Sequence, residues 1–282
     1  MNDNPVADGA GVRRIPRFLV TGMVIALLVP LAIFVGISLF LDDTTTPVVT
    51  EAAVADFRAE ATTTPVAPTP PPAAVDVLVT AQAGVYVYET SGGESIDALG
   101  GADHDYPTES TITVRSTDCG ATYRWAAIEE RSEVLDICVI DGALALRGYV
   151  ADHEFFGQGD NKALTCDAPV VLLAPGQEPG ITTGVCRGAG LVEELTVVVG
   201  APEVVVVAGR EIDVVPIEID VVVGPPDGHT QGASTTRLAV DPASGVIVEW
   251  AETTMTTADS QVGSVDYEES FSLRLVSLEP RT

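Results

Sequence analysis

From Ser264 to Leu275 the side chains alternate with a period of two. Val265, Tyr267, Phe271, Leu273 and Leu275 share one face; Ser264, Asp266, Glu268, Ser270, Ser272 and Arg274 share the other. An antiparallel strand with one dry and one wet face has this pattern, and a helix does not. The same texture recurs upstream. Leu238 and Val240 alternate with Arg237 and Asp241, and Val246, Val248 and Trp250 resume the alternation after Asp241-Pro242-Ala243-Ser244-Gly245. Proline sets φ and glycine takes φ > 0 in such a turn, so 235–257 reads as a hairpin. Ile212 and Val214 occupy one phase, and Ile217, Ile219 and Val221 the other. The slip falls at Val215-Pro216, where a bulge restores the register. Ile112 and Val114, Tyr123 and Trp125, Leu135 and Ile137, and Leu144 and Leu146 mark four more short strands, and Val85–Tyr88 a further one. Ala126–Ser132 fits a helical turn, and the Gly- and Asp-rich stretch up to Pro107 reads as loop. No stretch after Val75 sustains a 3.6-residue period.

The N-terminal part has a different character. Phe18 to Leu41 holds no charged side chain, with Arg13, Arg14 and Arg17 before it and Asp42 and Asp43 directly after it. About 20 apolar residues cross a hydrocarbon core, and basic residues stay on the cytoplasmic side. Residues 1–17 are therefore a cytoplasmic tail, 18–41 a transmembrane signal anchor, and everything beyond is extracytoplasmic. The run is too long for a signal-peptide core and lacks a small-x-small site at its end. Residues 42–74 are rich in Thr, Pro and Ala, with Thr-Thr-Thr-Pro-Val at 44–48 and again at 62–66. Such a segment buries too little apolar surface to offset its ordering entropy and reads as a disordered stalk. Residues 75–282 form the folded part, with a candidate internal boundary at 175–180.

The four cysteines, Cys119, Cys138, Cys166 and Cys186, all follow the anchor. An even count in an oxidising compartment favours disulfides, and no close Cys-x-x-Cys pair speaks for zinc. Three connectivities are open; the sequential one closes two loops of about 20 residues, each worth roughly 3 kcal/mol. The formal charge of −27, with Lys162 the single lysine, repels phosphate backbones and argues against nucleic acid as a partner.

Candidate chemistry is sparse. Ala102-Asp103-His104-Asp105 and Ala151-Asp152-His153-Glu154 are near-copies, and His229 follows Asp227. Imidazole beside carboxylate suits a divalent metal, so His104, His153 and His229 are candidate ligands of a metal-dependent hydrolase, although no pair has the spacing of one helix face. Solvated loop residues are the competing reading. No Gly-x-Ser-x-Gly elbow exists. Leu164-Thr165-Cys166 resembles the Leu-x-Thr-Cys motif of sortases, with the leucine one position too close. Glu269 interrupts the apolar face of the last strand. Pointing inward it needs a partner, for which Arg237 in the neighbouring hairpin is the candidate; a bulge or an edge position turns it outward. Trp125 and Phe155-Phe156 read as core or as partner anchors.

The turn Asp241-Pro242-Ala243-Ser244-Gly245-Val246-Ile247 resembles the Asp-x-x-(Ser/Thr)-Gly turn of bacterial lipoprotein-carrier proteins, over about residues 195–278. That resemblance implies a half-barrel whose concave apolar face holds an acyl chain. The fold class expected is a single transmembrane α-helix followed by a mainly-β extracytoplasmic domain: a curved, half-barrel-like antiparallel sheet stapled by disulfides. The expected function is non-enzymatic binding of an envelope protein or a lipid-like ligand, with no cofactor. A metal-dependent hydrolase and a scaffold subunit of an envelope complex are the alternatives.

Overall fold

The computed structural model describes residues 45–61, 77–188, 190–224, 230–260 and 263–282. The anchor read at 18–41, its flanking charges Arg13, Arg14, Arg17, Asp42 and Asp43, and His229 lie outside those residues. No helix among the described residues is long and apolar enough to cross a membrane.

Among the described residues one α-helix, α1 (Thr50–Ala61), precedes fourteen strands. They are β1 (Gly84–Ile96), β2 (Ala102–Asp105), β3 (Glu109–Ser116), β4 (Gly120–Ile128), β5 (Arg131–Ile140), β6 (Ala143–Phe155) and β7 (Gln158–Leu173). The second half supplies β8 (Gly180–Gly188), β9 (Leu191–Val199), β10 (Glu203–Val207), β11 (Arg210–Gly224), β12 (Thr230–Val240), β13 (Ile247–Ser260) and β14 (Gly263–Leu275). Apart from β2 with β3 and β9 with β10, each strand pairs antiparallel with its sequence neighbour, and the pairings of β14 with β1, β3 with β1 and β9 with β11 turn the meander into a ring. β14 lies along β1, with Tyr88 opposite Leu275 and Ile96 opposite Tyr267. β9 lies along β11, with Ile217 opposite Val199. β2 and β3 follow one another along the same edge of β1, and β9 and β10 do so along β11. The fourteen strands thus make a closed up-and-down barrel with twelve positions in its wall. The curved antiparallel sheet stands; it is a full ring where a half-barrel was expected, because the first and last strands find each other and leave no edge there.

Local chemistry explains the tight turns. Asp141-Gly142, Phe156-Gly157 and Ala208-Gly209 each place both residues at positive φ (51° and 81°, 54° and 67°, 49° and 77°). This is the type I′ turn whose twist matches that of the flanking strands. Ala126–Ser132 is no helical turn but a hairpin closed at Glu129-Glu130. The segment after Tyr88, read as loop, carries the second half of β1 and all of β2. The 174–179 link is a hairpin connection within one compact unit, and no boundary divides the ring there. The phase slip at Val215-Pro216 is real: Val214 and Val215 are both buried. It lies opposite the break between β9 and β10, where the Gly200 N–H donates to the Pro216 carbonyl at 2.8 Å.

Of the 42–74 segment expected to be disordered stalk, residues 45–61 are instead ordered against the barrel. Pro47 bridges to Ile128, the Thr50 hydroxyl donates to Glu109 at 2.7 Å, and Val54 is buried. Arg58 donates twice to the Thr282 carbonyl, and Arg115 sits 5.7 Å over the Phe57 ring. Thus α1 packs on the outer face of β1 and β3. Composition hid this because one apolar side chain, two polar anchors and a cation–π contact suffice when a wall is already there to dock on. It also explains why Val85, Tyr86, Val87 and Tyr88 are all buried, on both faces of one strand.

The disulfides join Cys119 to Cys138 and Cys166 to Cys186. They differ in setting. β4 and β5 are paired from Gly120–Cys138 to Ile128–Arg131. β7 and β8, among the described residues, share two paired positions, Thr165–Arg187 and Cys166–Cys186. The second disulfide therefore sits at the seam where the ring has least backbone pairing.

A buried charge network as the candidate functional site

The barrel interior divides along its axis. One end is apolar and floored: Tyr123 accepts from the Ala81 N–H at 2.8 Å and donates to the Gly245 carbonyl at 3.0 Å, while Tyr88 donates to the Ile247 carbonyl at 2.6 Å. Gly245, at φ +72°, passes so close to Val79 that a Cβ would stand 2.1 Å from its carbonyl oxygen. In the middle, Trp125, Trp250 and Phe271 fill the lumen, with Trp125 and Phe271 stacked at 4.1 Å and the two indoles 6.2 Å apart.

The other end is polar. Glu269 points inward, as β14 alternation dictates, and is 3 % exposed. Directly opposite it on β1 stands Glu94, also 3 % exposed. Two carboxylates facing each other across a ladder repel, and the structure separates their partners. Arg131, from β5, reaches Glu269 with a two-pronged contact, Nε to Oε1 at 2.9 Å and Nη2 to Oε2 at 3.0 Å. It also donates to Glu133 at 2.9 Å and to the Ser132 carbonyl at 2.7 Å, and lies 5.3 Å over the Trp125 ring. Tyr106 adds a hydrogen bond to Glu269 at 2.5 Å. Glu94 takes the histidines: His104 Nδ1 at 2.9 Å from one oxygen, His153 Nδ1 at 2.9 Å from the other. Tyr267 donates to the latter oxygen at 2.8 Å. Phe155 stacks on His104 at 4.3 Å and caps the pair.

Further round the wall, Lys162 lies 3.1 Å from the buried Glu193, off the angle of a hydrogen bond, and Glu252 accepts from Thr236 and Thr254 at 2.9 Å each. The single lysine of the chain is thus spent inside the barrel. Burial pushes the Glu193 carboxyl up to about 7, with Glu252 adding repulsion. Burial and the neighbouring Glu133 and Glu269 push Glu252 to about 8. At Glu94 burial acts upward, yet the hydrogen bonds from His104 and His153 win and bring it down to about 2. Burial lowers the Lys162 ammonium pKa, and burial raises the Tyr106 and Tyr267 phenols. The result is a mutually neutralising set of acids and bases, in which the charged members hold one another.

Against the sequence expectations, Glu269 pairs with Arg131 and not with Arg237. Arg237 faces outward on β12, 71 % exposed along its side chain, and meets Glu218 at 2.7 Å. The partner comes across the lumen, from a strand with no sequence proximity to β14. His104 and His153 do come together, but on one carboxylate. No group of three or more His, Cys, Asp or Glu among the described residues is arranged to hold a metal. Cys166 is bonded to Cys186, so the sortase-like triplet offers no thiolate. Trp125 and Phe155 are buried core residues. Arg131, Glu133, Glu94, Glu193 and Glu252 went unnoticed in sequence, since an alternating strand does not reveal which polar side chains point inward.

No family model matches the chain, and no curated protein does. Among solved structures it is similar to the hypothetical lipoprotein YmcC from Escherichia coli, at 12% identity over 68% of this chain and 88% of that one, with a TM-score of 0.24. A superposition that loose carries no argument.

Proposed function

We propose that the chain is a single-pass envelope protein, N-terminus cytoplasmic, that displays the barrel outside the membrane and works by binding a protein partner on the outer wall, without chemistry of its own. The observation that carries this reading is the filled lumen. Trp125, Trp250 and Phe271 occupy its middle and the Arg131–Glu269 network its polar end. A lipid-like ligand would have to displace packed indoles or break a buried ion pair, each costing several kcal/mol. The outer wall meanwhile exposes Val204, Val206, Val222, Ile181 and Met255, each more than half accessible.

Photoreactive side chains placed at outward Met255 and lumenal Val221 of the membrane-borne chain test this. Protein adducts from position 255 and none from 221 are expected. Lipid adducts from position 221 would overturn the reading in favour of an acyl-chain carrier.

A further inference from the structure

β10 is a strand with one free edge. Among the described residues it pairs with β11 alone, from Glu203–Val214 to Val207–Arg210. The two-residue turn at Ala208-Gly209 fixes which backbone groups are used. Val207 and Arg210 make the first hydrogen-bonded pair and Val205 and Ile212 the next, so the N–H and C=O groups of Val204 and Val206 point away from β11. Their side chains stand on the outer face, 58 % and 61 % exposed. Natural edges are blunted by lysine, proline or a bulge; Glu203-Val204-Val205-Val206-Val207 has none of these. Beside the two valines on the same face lie Asp213, opposite Val204, and Glu211, opposite Val206, both exposed.

We propose that this edge accepts an extended segment of a basic protein, which adds as a strand beside β10. Two outward N–H and two outward C=O groups give main-chain affinity, and the valines take the segment's apolar side chains. Lysines or arginines two residues before and after those apolar positions share their face and lie on the side of Glu211 and Asp213. The acids decide the occupant. A second copy would bring the same acids together across a two-fold axis, between chains of formal charge −27, so self-pairing is opposed. The inference rests on the protein-binding reading above and names the surface and the partner's chemistry.

The probe is a labelled synthetic peptide of about seven residues with basic residues at positions one and seven, valines at three and five, and threonines between them, so that valines and basic residues share one face; it is titrated against the full chain in detergent by fluorescence anisotropy. A peptide with glutamate in place of the basic residues is the control. The basic peptide is expected to bind, to weaken about tenfold between about 50 mM and 300 mM salt, and to outcompete the acidic one. Val206→Pro removes an outward N–H without touching the β11 ladder and is expected to cost at least about tenfold. Glu211→Lys with Asp213→Lys is expected to transfer preference to the acidic peptide, a gain that misfolding cannot produce. No binding, binding indifferent to Val206→Pro, or a chain that dimerises through this edge in sedimentation would each overturn the proposal. Protein adducts from Met255 with none from Val206 would overturn it while leaving the protein-binding reading intact.

Discussion

Arg131 holds two carboxylates and a carbonyl while being 1 % exposed. Removing one partner of such a pair leaves a buried charge without compensation, which costs about 3–5 kcal/mol. Arg131→Met should therefore lose about that much in urea unfolding, as should Glu269→Leu. The double variant should recover the share owed to Glu269, with Glu133 still unpaired from Arg131, a coupling that strictly additive losses would refute. The titration of the network sets a second expectation. Glu193 and Glu252, raised to about 7 and about 8, favour the folded state when protonated, so their contribution is lost as pH rises from about 4.5 to 8. Glu94, lowered to about 2, contributes above about 4.5 and loses its contribution as pH falls towards 2. Stability set by these three groups should peak near pH 4, and Glu252→Gln should flatten the decline above it. Denaturation midpoints that rise from pH 5 to 8 would contradict this. In sequence Glu269 stood out because it broke an apolar face. Arg131 did not, since an arginine after two glutamates at a turn looks like solvated surface.

The disulfides separate what chain entropy treats alike. Both close loops of about 20 residues, so each is worth roughly 3 kcal/mol by that measure. Their settings differ: Cys119–Cys138 ties strands that are already laddered, whereas Cys166–Cys186 ties the seam. Replacing the second pair with serine should raise amide exchange throughout β7 and β8, while replacing the first should leave exchange in β4 and β5 nearly unchanged. Equal local responses would show that the seam is not weak. Gly92 is a second pressure point. It sits at φ +122°, and a Cβ there would lie 2.0 Å from the Ser270 carbonyl oxygen. Strands with one wet face (β12, β13, β14) were legible because water enforces their alternation. The strands around Ala126–Ile128 were not, since Ala126, Ala127 and Ile128 are all buried and the period of two disappears. The glycine-bearing second half of β1 reads as loop for a related reason: close strand approach calls for the residues that turns use.

At the scale of the molecule, α1 belongs to the barrel. Deleting residues 45–61 from the full chain should remove the Val54 contact, the Thr50–Glu109 bond and the Arg58–Thr282 clamp, and lower stability by about 2–4 kcal/mol. Thermal unfolding would register that as a drop of several degrees; an unchanged midpoint would mean the helix merely rests on the wall. The pairing of β1 with β14 also dictates an order of events. Glu94 belongs to the first strand of the barrel, Arg131 to the fifth and Glu269 to the last. The network exists only after the last strand has docked on the first. Until then Arg131 lacks its two-pronged partner Glu269, and β1 waits with one edge unpaired while the rest of the chain is made. Such long-range closure is slow, and it is all or nothing: a chain cut short before β14 has neither a ring nor the acid that neutralises Arg131.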